Sequence, residues 1–471
     1  MTQMKRYAMI IRTTILSLGA GLLLSLVFRC PAAAQELKVS RLKLDNGLVA
    51  LAVEDHTVPS VAYYTVFKVG SRNERPGITG LSHLFEHMMF NGSAKFAPKV
   101  FDNIIEAGGG DSNAFTTSDR TEYQEQFSTP TLDTVIALEA DRMRALKLDK
   151  QNIEQERSIV KEERRVNTDN NVGGAMNEIL ENSAFVAHPY HWDTIGFMKD
   201  IDAIRLEDAK EYFRIHYAPN NAVITVVGDF DTKTLFAKIK ALYGDIKAQP
   251  LPRDVVNSEP PQPGERRISF HKPAELPAIT FGYHTVTNRD ADNPALDLLT
   301  TILSHGESAR LYRTLVYDKQ IAASVGASND SREDPGLYIF YAQAQPGHTA
   351  LECETAIYGV LDDIRKNGVS ERELQKAKNV ERIGYLDKFK TNLGRAGLVA
   401  EYEANRGDWH TLYDYLPAHD KVTAADIRRV VGKYFGERNR TVVTLIPEKD
   451  AADPSGSAEK PDARSNAPEQ K

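Results

Sequence analysis

His83, Glu86 and His87, in the run Gly-Leu-Ser-His-Leu-Phe-Glu-His-Met from Gly80 to Met88, are residue types that bind metals and move protons. On a helix at about 100° per residue, Leu81, Leu84, Phe85 and Met88 fall on one side, and the two imidazoles with the carboxylate on the other. Imidazoles four residues apart stand one turn above each other, a separation at which both can bind one Zn²⁺ at roughly 2.0–2.1 Å. Glu86 then lies between them, free to handle protons. The alternative is the solvated face of an amphipathic helix. Against it, chance supplies on the order of 0.02 matches to His-x-x-Glu-His in a chain of this length and composition.

A zinc ion needs a third protein ligand. From Leu132 to Val166 the sequence is helical in two pieces that part near Asp149. In the second piece Glu156 and Glu163 are two turns apart on one face, falling between Ile159 and Val160 on the apolar side, so both carboxylates are expected to point inward. A buried carboxylate is costly unless it is paired or binds a metal. Glu162 points about 120° away, with the solvent face. The expected third ligand is therefore Glu163, with Glu156 supporting it from behind. The competing reading pairs both carboxylates with Arg157, Arg164 or another basic partner in the core.

The elements that position these residues follow from pattern. Leu42 to His56 reads as two strands joined at Asn46-Gly47, and the run Val61-Ala-Tyr-Tyr-Thr-Val-Phe-Lys-Val69 as a buried strand leading to the His83 helix, which is expected to leave the edge of a sheet. Val100 to Ala107 is helical and ends in three glycines, after which the run from Ser112 to Ser128 alternates like a strand pair. Ala222 to Asp229 is another buried strand, and Thr232 to Ile246 an amphipathic helix that closes a first domain. Five prolines between Pro250 and Pro263 mark a stiff linker. Beyond it strands and helices recur, and Arg440 to Pro447 mirrors the strand at Ala222, a weak internal duplication without a second His-x-x-Glu-His. The expected boundaries are a signal peptide at 1–34, a zinc-binding domain at 35–248, a linker at 249–263, a repeat domain at 264–447 and a disordered tail from 448.

Composition bounds the class. A chain of 471 residues with 41% hydrophobic and 26% charged content suits two folded domains. The net charge of −7 and the lack of a basic stripe interleaved with aromatics argue against a nucleic-acid partner. Lys5, Arg6 and Arg12 precede an apolar run to Phe28 and then Pro31-Ala-Ala-Ala34, the order of a secretory signal cleaved after Ala34. A membrane anchor is the runner-up, but the run is short for a span. Cys30 leaves with the signal and Cys353 stays alone, so the exported chain holds no intrachain disulfide. The expected location is periplasmic or secreted.

With the His83 motif, Glu156-Arg-Ser-Ile-Val-Lys-Glu-Glu163, Ser112-Asn-Ala-Phe-Thr116, His188-Pro-Tyr-His-Trp-Asp-Thr-Ile-Gly196 and the strand at Ala222 in order, the chain from Leu42 to Pro447 resembles the insulinase/pitrilysin family of zinc metallopeptidases. The family's third ligand lies about 76 residues after the second histidine and seven after another glutamate, as Glu163 does here. The resemblance implies a processing-peptidase-like metallohydrolase fold: α+β, with two similar domains, each an antiparallel sheet backed by helices. It implies one zinc held by His83, His87 and Glu163, Glu86 as general base, and a peptide laid as an added strand against Asn113, Ala114 and Phe115.

There is one departure from the family. Where its members carry an Arg and, seven residues on, a Tyr that help hold the substrate, this chain has Val316 and Ala323. That is similar to the zinc-bearing subunit of two-subunit bacterial members, whose metal-less homologous partner would supply the Arg/Tyr pair. The expected function is zinc-dependent endopeptidase acting on oligopeptides or unfolded segments. The alternative class is a non-catalytic peptide-binding or assembly subunit. His188 and His191 receive no role.

Overall fold

Apolar residues on both faces of Ser60–Phe67 require cover from above and below, and that requirement organises the molecule. The computed structural model describes residues 36–251 and 254–448. The signal segment with its cleavage site and Cys30, Pro252 of the linker and the tail from 449 lie outside the described residues. A compact unit begins at Ser40, and the architecture is that unit's.

The first sheet contains β1 (Val39–Lys43), β2 (Val49–Glu54), β3 (Ser60–Phe67), β4 (Asp111–Thr116), β5 (Thr121–Ser128) and β6 (Ala222–Gly228), in the order β1-β2-β6-β3-β5-β4. The second contains β7 (Arg266–Pro273), β8 (Ala278–His284), β9 (Ala322–Asp330), β10 (Leu337–Ala344) and β11 (Arg440–Glu448), in the order β7-β11-β8-β10-β9. From β2 and from β7 onward the two orders are the same, so the duplication is one of topology. Both sheets depart from the all-antiparallel expectation: β6 runs parallel to β2, and β11 parallel to β7. The closing strand of each half returns through helices and slots between the first two long strands, a crossover that permits parallel pairing. The His83 helix, expected to leave the edge of a sheet, follows a strand that is interior: β3 has β6 on one side and β5 on the other.

The helices that cover the inner strands are exchanged. Asn392–Arg406, late in the chain, packs on β3 and β6 of the first sheet, while Val172–Ala184, early in the chain, packs on β8 and β11 of the second. Polar ties fasten both: Arg395 pairs with Asp55 at 2.7 Å and Arg41 with Glu403 at 2.9 Å, and Arg266 Nη1 donates to the carbonyls of Ser183 and Ala184 at 2.7 Å. Each sheet's core is completed by the other half of the sequence. The linker's described residues form neither helix nor strand, and Glu259 in it accepts the backbone N–H groups of Val186, Ala187 and His188 at 2.9–3.1 Å. Among the described residues no helix is long and apolar enough to cross a membrane.

Candidate metal centre

The helix Leu81–Met88 buries Leu81, Leu84, Phe85 and Met88 and turns His83, Glu86 and His87 the other way. Gly80 enters it at φ +87°, where a Cβ would meet the Ile195 carbonyl oxygen at 2.4 Å, so only glycine fits. The buried carboxylate of Glu74 accepts the N–H of Gly80 at 2.8 Å and of Ser82 at 2.6 Å, satisfying donors that a helix start leaves without partners.

The second contributor is the helix Lys150–Arg164, whose start is capped by Asp149 accepting from Asn152 N at 2.9 Å. Glu156 is buried, Glu163 half-buried and Glu162 exposed, as the wheel requires. Ile159 differs from expectation: it is 45% exposed, because the inward face runs through Ile153, Glu156 and Val160 and leaves Ile159 on the rim.

The two helices bring three donors together. His83 Nε2 lies 3.7 Å and His87 Nε2 3.4 Å from Glu163 Oε2, and the donor atoms of all three residues lie within 4.8 Å of one another. A tetrahedral zinc with bonds of roughly 2.0–2.1 Å sets its ligands about 3.3–3.4 Å apart. Two imidazole nitrogens and a carboxylate oxygen at these separations fit that ion.

Behind them Glu156 Oε2 stands 3.4 Å from His87 Nδ1, the carboxylate–histidine arrangement that fixes a ligand's tautomer. His83 Nδ1, by contrast, is buried with no hydrogen-bond partner among the described residues. Pairing with the neighbouring arginines is not what the carboxylates do: Arg157 Nη2 donates to Ile204 O at 2.9 Å, and Arg164 pairs with Glu178 at 2.8 Å.

Burial lowers the pKa of His83. Burial also opposes charge on His87, but Glu156 and Glu163 outweigh it and raise that imidazole to about 9. The hydrogen bond from His87 in turn holds the Glu163 carboxyl below its ordinary value.

Glu86 is not one of the three donors. Its Oε2 accepts Thr116 Oγ1 at 2.6 Å, which ties it to the end of β4. Thr116 is the residue that motif reading passed over. Its place in Ser112-Asn-Ala-Phe-Thr116 was visible, and strand alternation sends 112, 114 and 116 to the helix side, but the contact with Glu86 is tertiary. Asn113, Ala114 and Phe115 lie on β4, the outer strand, paired with Gln124, Tyr123 and Glu122 of β5. Asn113 and Phe115 are exposed, and the Ala114 N–H is taken by Asn113's own Oδ1 at 2.9 Å.

Comparison with known proteins places this geometry. The family profile described as "Insulinase (Peptidase family M16)" matches residues 49–195, and "Peptidase M16 inactive domain" matches 203–381. A Helicobacter pylori protein named zinc protease PqqE is 32% identical over 440 residues, covering 92% of this chain and 98% of that one. The chain belongs to the insulinase family, peptidase family M16.

Within the M16 family, the solved structure of a protease from Helicobacter pylori superposes with a TM-score of 0.84 at 32% identity, over 87% of this chain and 100% of that one. The periplasmic protease PqqL from Escherichia coli shares the fold at a TM-score of 0.72 and 19% identity, over 88% of this chain and 48% of that one. A probable mitochondrial-processing peptidase β subunit of Arabidopsis thaliana is 24% identical over 89% of this chain and 80% of that one. All three candidate ligands fall inside the M16 profile, and among the described residues no second group of metal-binding side chains occurs. In the M16 inactive-domain segment, Val316 packs against the second core and Ala323 is exposed on β9. His188 is buried, with Nδ1 accepting from Tyr190 N at 3.1 Å and Nε2 3.0 Å from Asp334.

Proposed function

We propose that this chain is a zinc-dependent endopeptidase that hydrolyses oligopeptides or unfolded segments, with Glu86 as the general base. One arrangement carries the reading: His83, His87 and Glu163 converge within 4.8 Å, next to a carboxylate tethered to an outer strand. Zinc held by these three residues would bring the pKa of a water towards 7 and polarise the scissile carbonyl. Glu86 takes the proton of the attacking water and delivers it to the leaving amine. Thr116 keeps that carboxylate aimed, and Glu156 keeps His87 in the tautomer that presents Nε2. The outer edge of β4 at Asn113, Ala114 and Phe115 receives the substrate backbone as an added strand, which asks little of side chains and selects extended peptides.

Because Val316 and Ala323 stand where substrate-holding Arg and Tyr are expected, a metal-less homologous subunit supplies that pair, and the complex works after export directed by residues 1–34. Glu86→Gln tests the reading: with the partner co-expressed, peptide cleavage should be lost while one zinc per chain is retained. Cleavage that survives Glu86→Gln overturns it. Absence of cleavage in both wild type and variant favours the peptide-binding subunit instead.

A further inference from the structure

β4 has a strand on one side only, and its outer side must stay free for a peptide. Its placement therefore depends on its ends. The turn after it, residues 117–120, is closed by Thr117 N donating to Arg120 O at 2.8 Å and Arg120 N donating to Thr117 Oγ1 at 3.0 Å. From the first half, Ser71 N and Arg72 N donate to the carbonyls of Thr117 and Ser118 at 3.2 and 2.9 Å.

The second half adds to this hold: Arg120 of the turn pairs with Glu401 at 3.4 Å, and Asp119 is met from both halves. Asp119, in that turn, is buried, and a carboxylate withdrawn from water persists only where its lone pairs are met. Its Oδ1 accepts Tyr190 OH at 2.6 Å and Arg72 Nη1 at 3.0 Å, and its Oδ2 accepts the backbone N–H of Glu333 at 3.0 Å. Glu333 belongs to the loop between β9 and β10. The same loop returns three more ties: Arg72 reaches Glu333 Oε2 at 3.2 Å and Asp334 Oδ2 at 3.0 Å, and Asp334 N donates to Tyr190 OH at 3.1 Å. Tyr190 OH thus bridges the Asp119 carboxylate and the Asp334 amide, while its ring lies 4.6 Å from the Arg332 guanidinium.

We propose that Asp119 is a positioning residue: through it the second half's loop latches the β4–β5 turn and sets the register of the substrate edge and, by way of Thr116, of Glu86. What the strand binds rests on the peptidase reading; the latch itself does not. On this view the segment matched to an inactive domain acts on the site by holding the strand that completes it.

Two conservative variants of the full chain, with its partner co-expressed, test the latch. Asp119→Asn sets an amide where the carboxylate met several donors, and Tyr190→Phe removes the bridging hydroxyl but keeps the ring. Backbone-amide exchange over 111–120, followed by mass spectrometry, should speed up about tenfold in either variant, and kcat/KM for a quenched fluorogenic peptide should fall about tenfold, through a higher KM and, by way of Thr116, a lower kcat. A purely structural tie would lower the unfolding midpoint and leave KM alone. Should Asp119→Asn not fold, Tyr190→Phe decides by itself. Unchanged exchange over 111–120 together with unchanged KM overturns the latch, whereas cleavage surviving Glu86→Gln overturns the peptidase reading and leaves the exchange measurement standing.

Discussion

The two halves share a strand order but use the helix that follows their second long strand differently. In the first half Leu81–Met88 commits one face to the core and keeps His83, Glu86 and His87 on the other. In the second, Asn293–Ser304 buries Ala295, Leu296, Leu298, Leu299, Ile302 and Leu303, and its one acid, Asp297, stands 3.3 Å from His419 in no metal-binding cluster among the described residues. The outer strands differ to match. At β4 the N–H of Ala114 is met only by Asn113's own carboxamide, at 2.9 Å. At β9 the N–H of Ala327 is bound by Ser304 Oγ, from that helix, at 2.6 Å. One scaffold leaves its outer strand covered by its own side chain where the helix keeps a polar face, and ties that strand to the helix where the helix is packed.

The contrast breaks most visibly at the third ligand. Glu163→Ala should strip zinc from the purified chain, read by elemental analysis, and abolish cleavage with it, since two imidazoles cannot hold the ion as three ligands do. Retained stoichiometry would mean that the ion is held elsewhere. A smaller effect is expected at Thr116→Val, which removes the hydrogen bond to Glu86 and keeps the shape. kcat should fall about tenfold with zinc content unchanged. A kcat equal to wild type would show that the tether does not aim the base.

What the amino-acid sequence disclosed follows the range of the forces concerned. Helix periodicity is local, so the orientation of His83 and His87 and the turning of Glu163 rather than Glu162 towards them were readable, as was the helix Val100–Ala107, which matches its expected ends. Ile159 misled because a wheel assigns apolar residues inward, whereas this inward face is occupied by carboxylates turned towards histidines. The exchange of Val172–Ala184 and Asn392–Arg406 left a trace in β3 and β8, apolar on both faces, but nothing in a strand says which distant helix will cover it. Thr116 with Glu86 and Asp119 with Glu333 are pairings between elements whose neighbourhood only the folded sheet creates.

The acids at the starts of the corresponding helices sharpen the comparison by smaller amounts. Glu74 is raised to about 8 by burial, which outweighs the two backbone N–H groups it accepts. Its contribution to stability is complete below the unfolded value of 4.5 and is lost as pH climbs through 8. Asp292 is also penalised by burial, but Lys433 at 2.8 Å, Tyr434 at 2.6 Å and Arg429 at 2.7 Å bring it down to about 2. Its contribution is present above 3.8 and is lost as pH falls towards 2. Through these two acids the first half should lose stability as pH rises from 4.5 to 8, and the second as pH falls from 3.8 to 2. In urea titrations across pH, Glu74→Gln should flatten the decline between pH 4.5 and 8, a slope of at most about 1.4 kcal/mol per pH unit for one proton, and Asp292→Asn should act only on the acid side. An alkaline limb that Glu74→Gln leaves unchanged would mean that the amides of Gly80 and Ser82 hold Glu74 ionised, and the two helix starts would then be alike in charge.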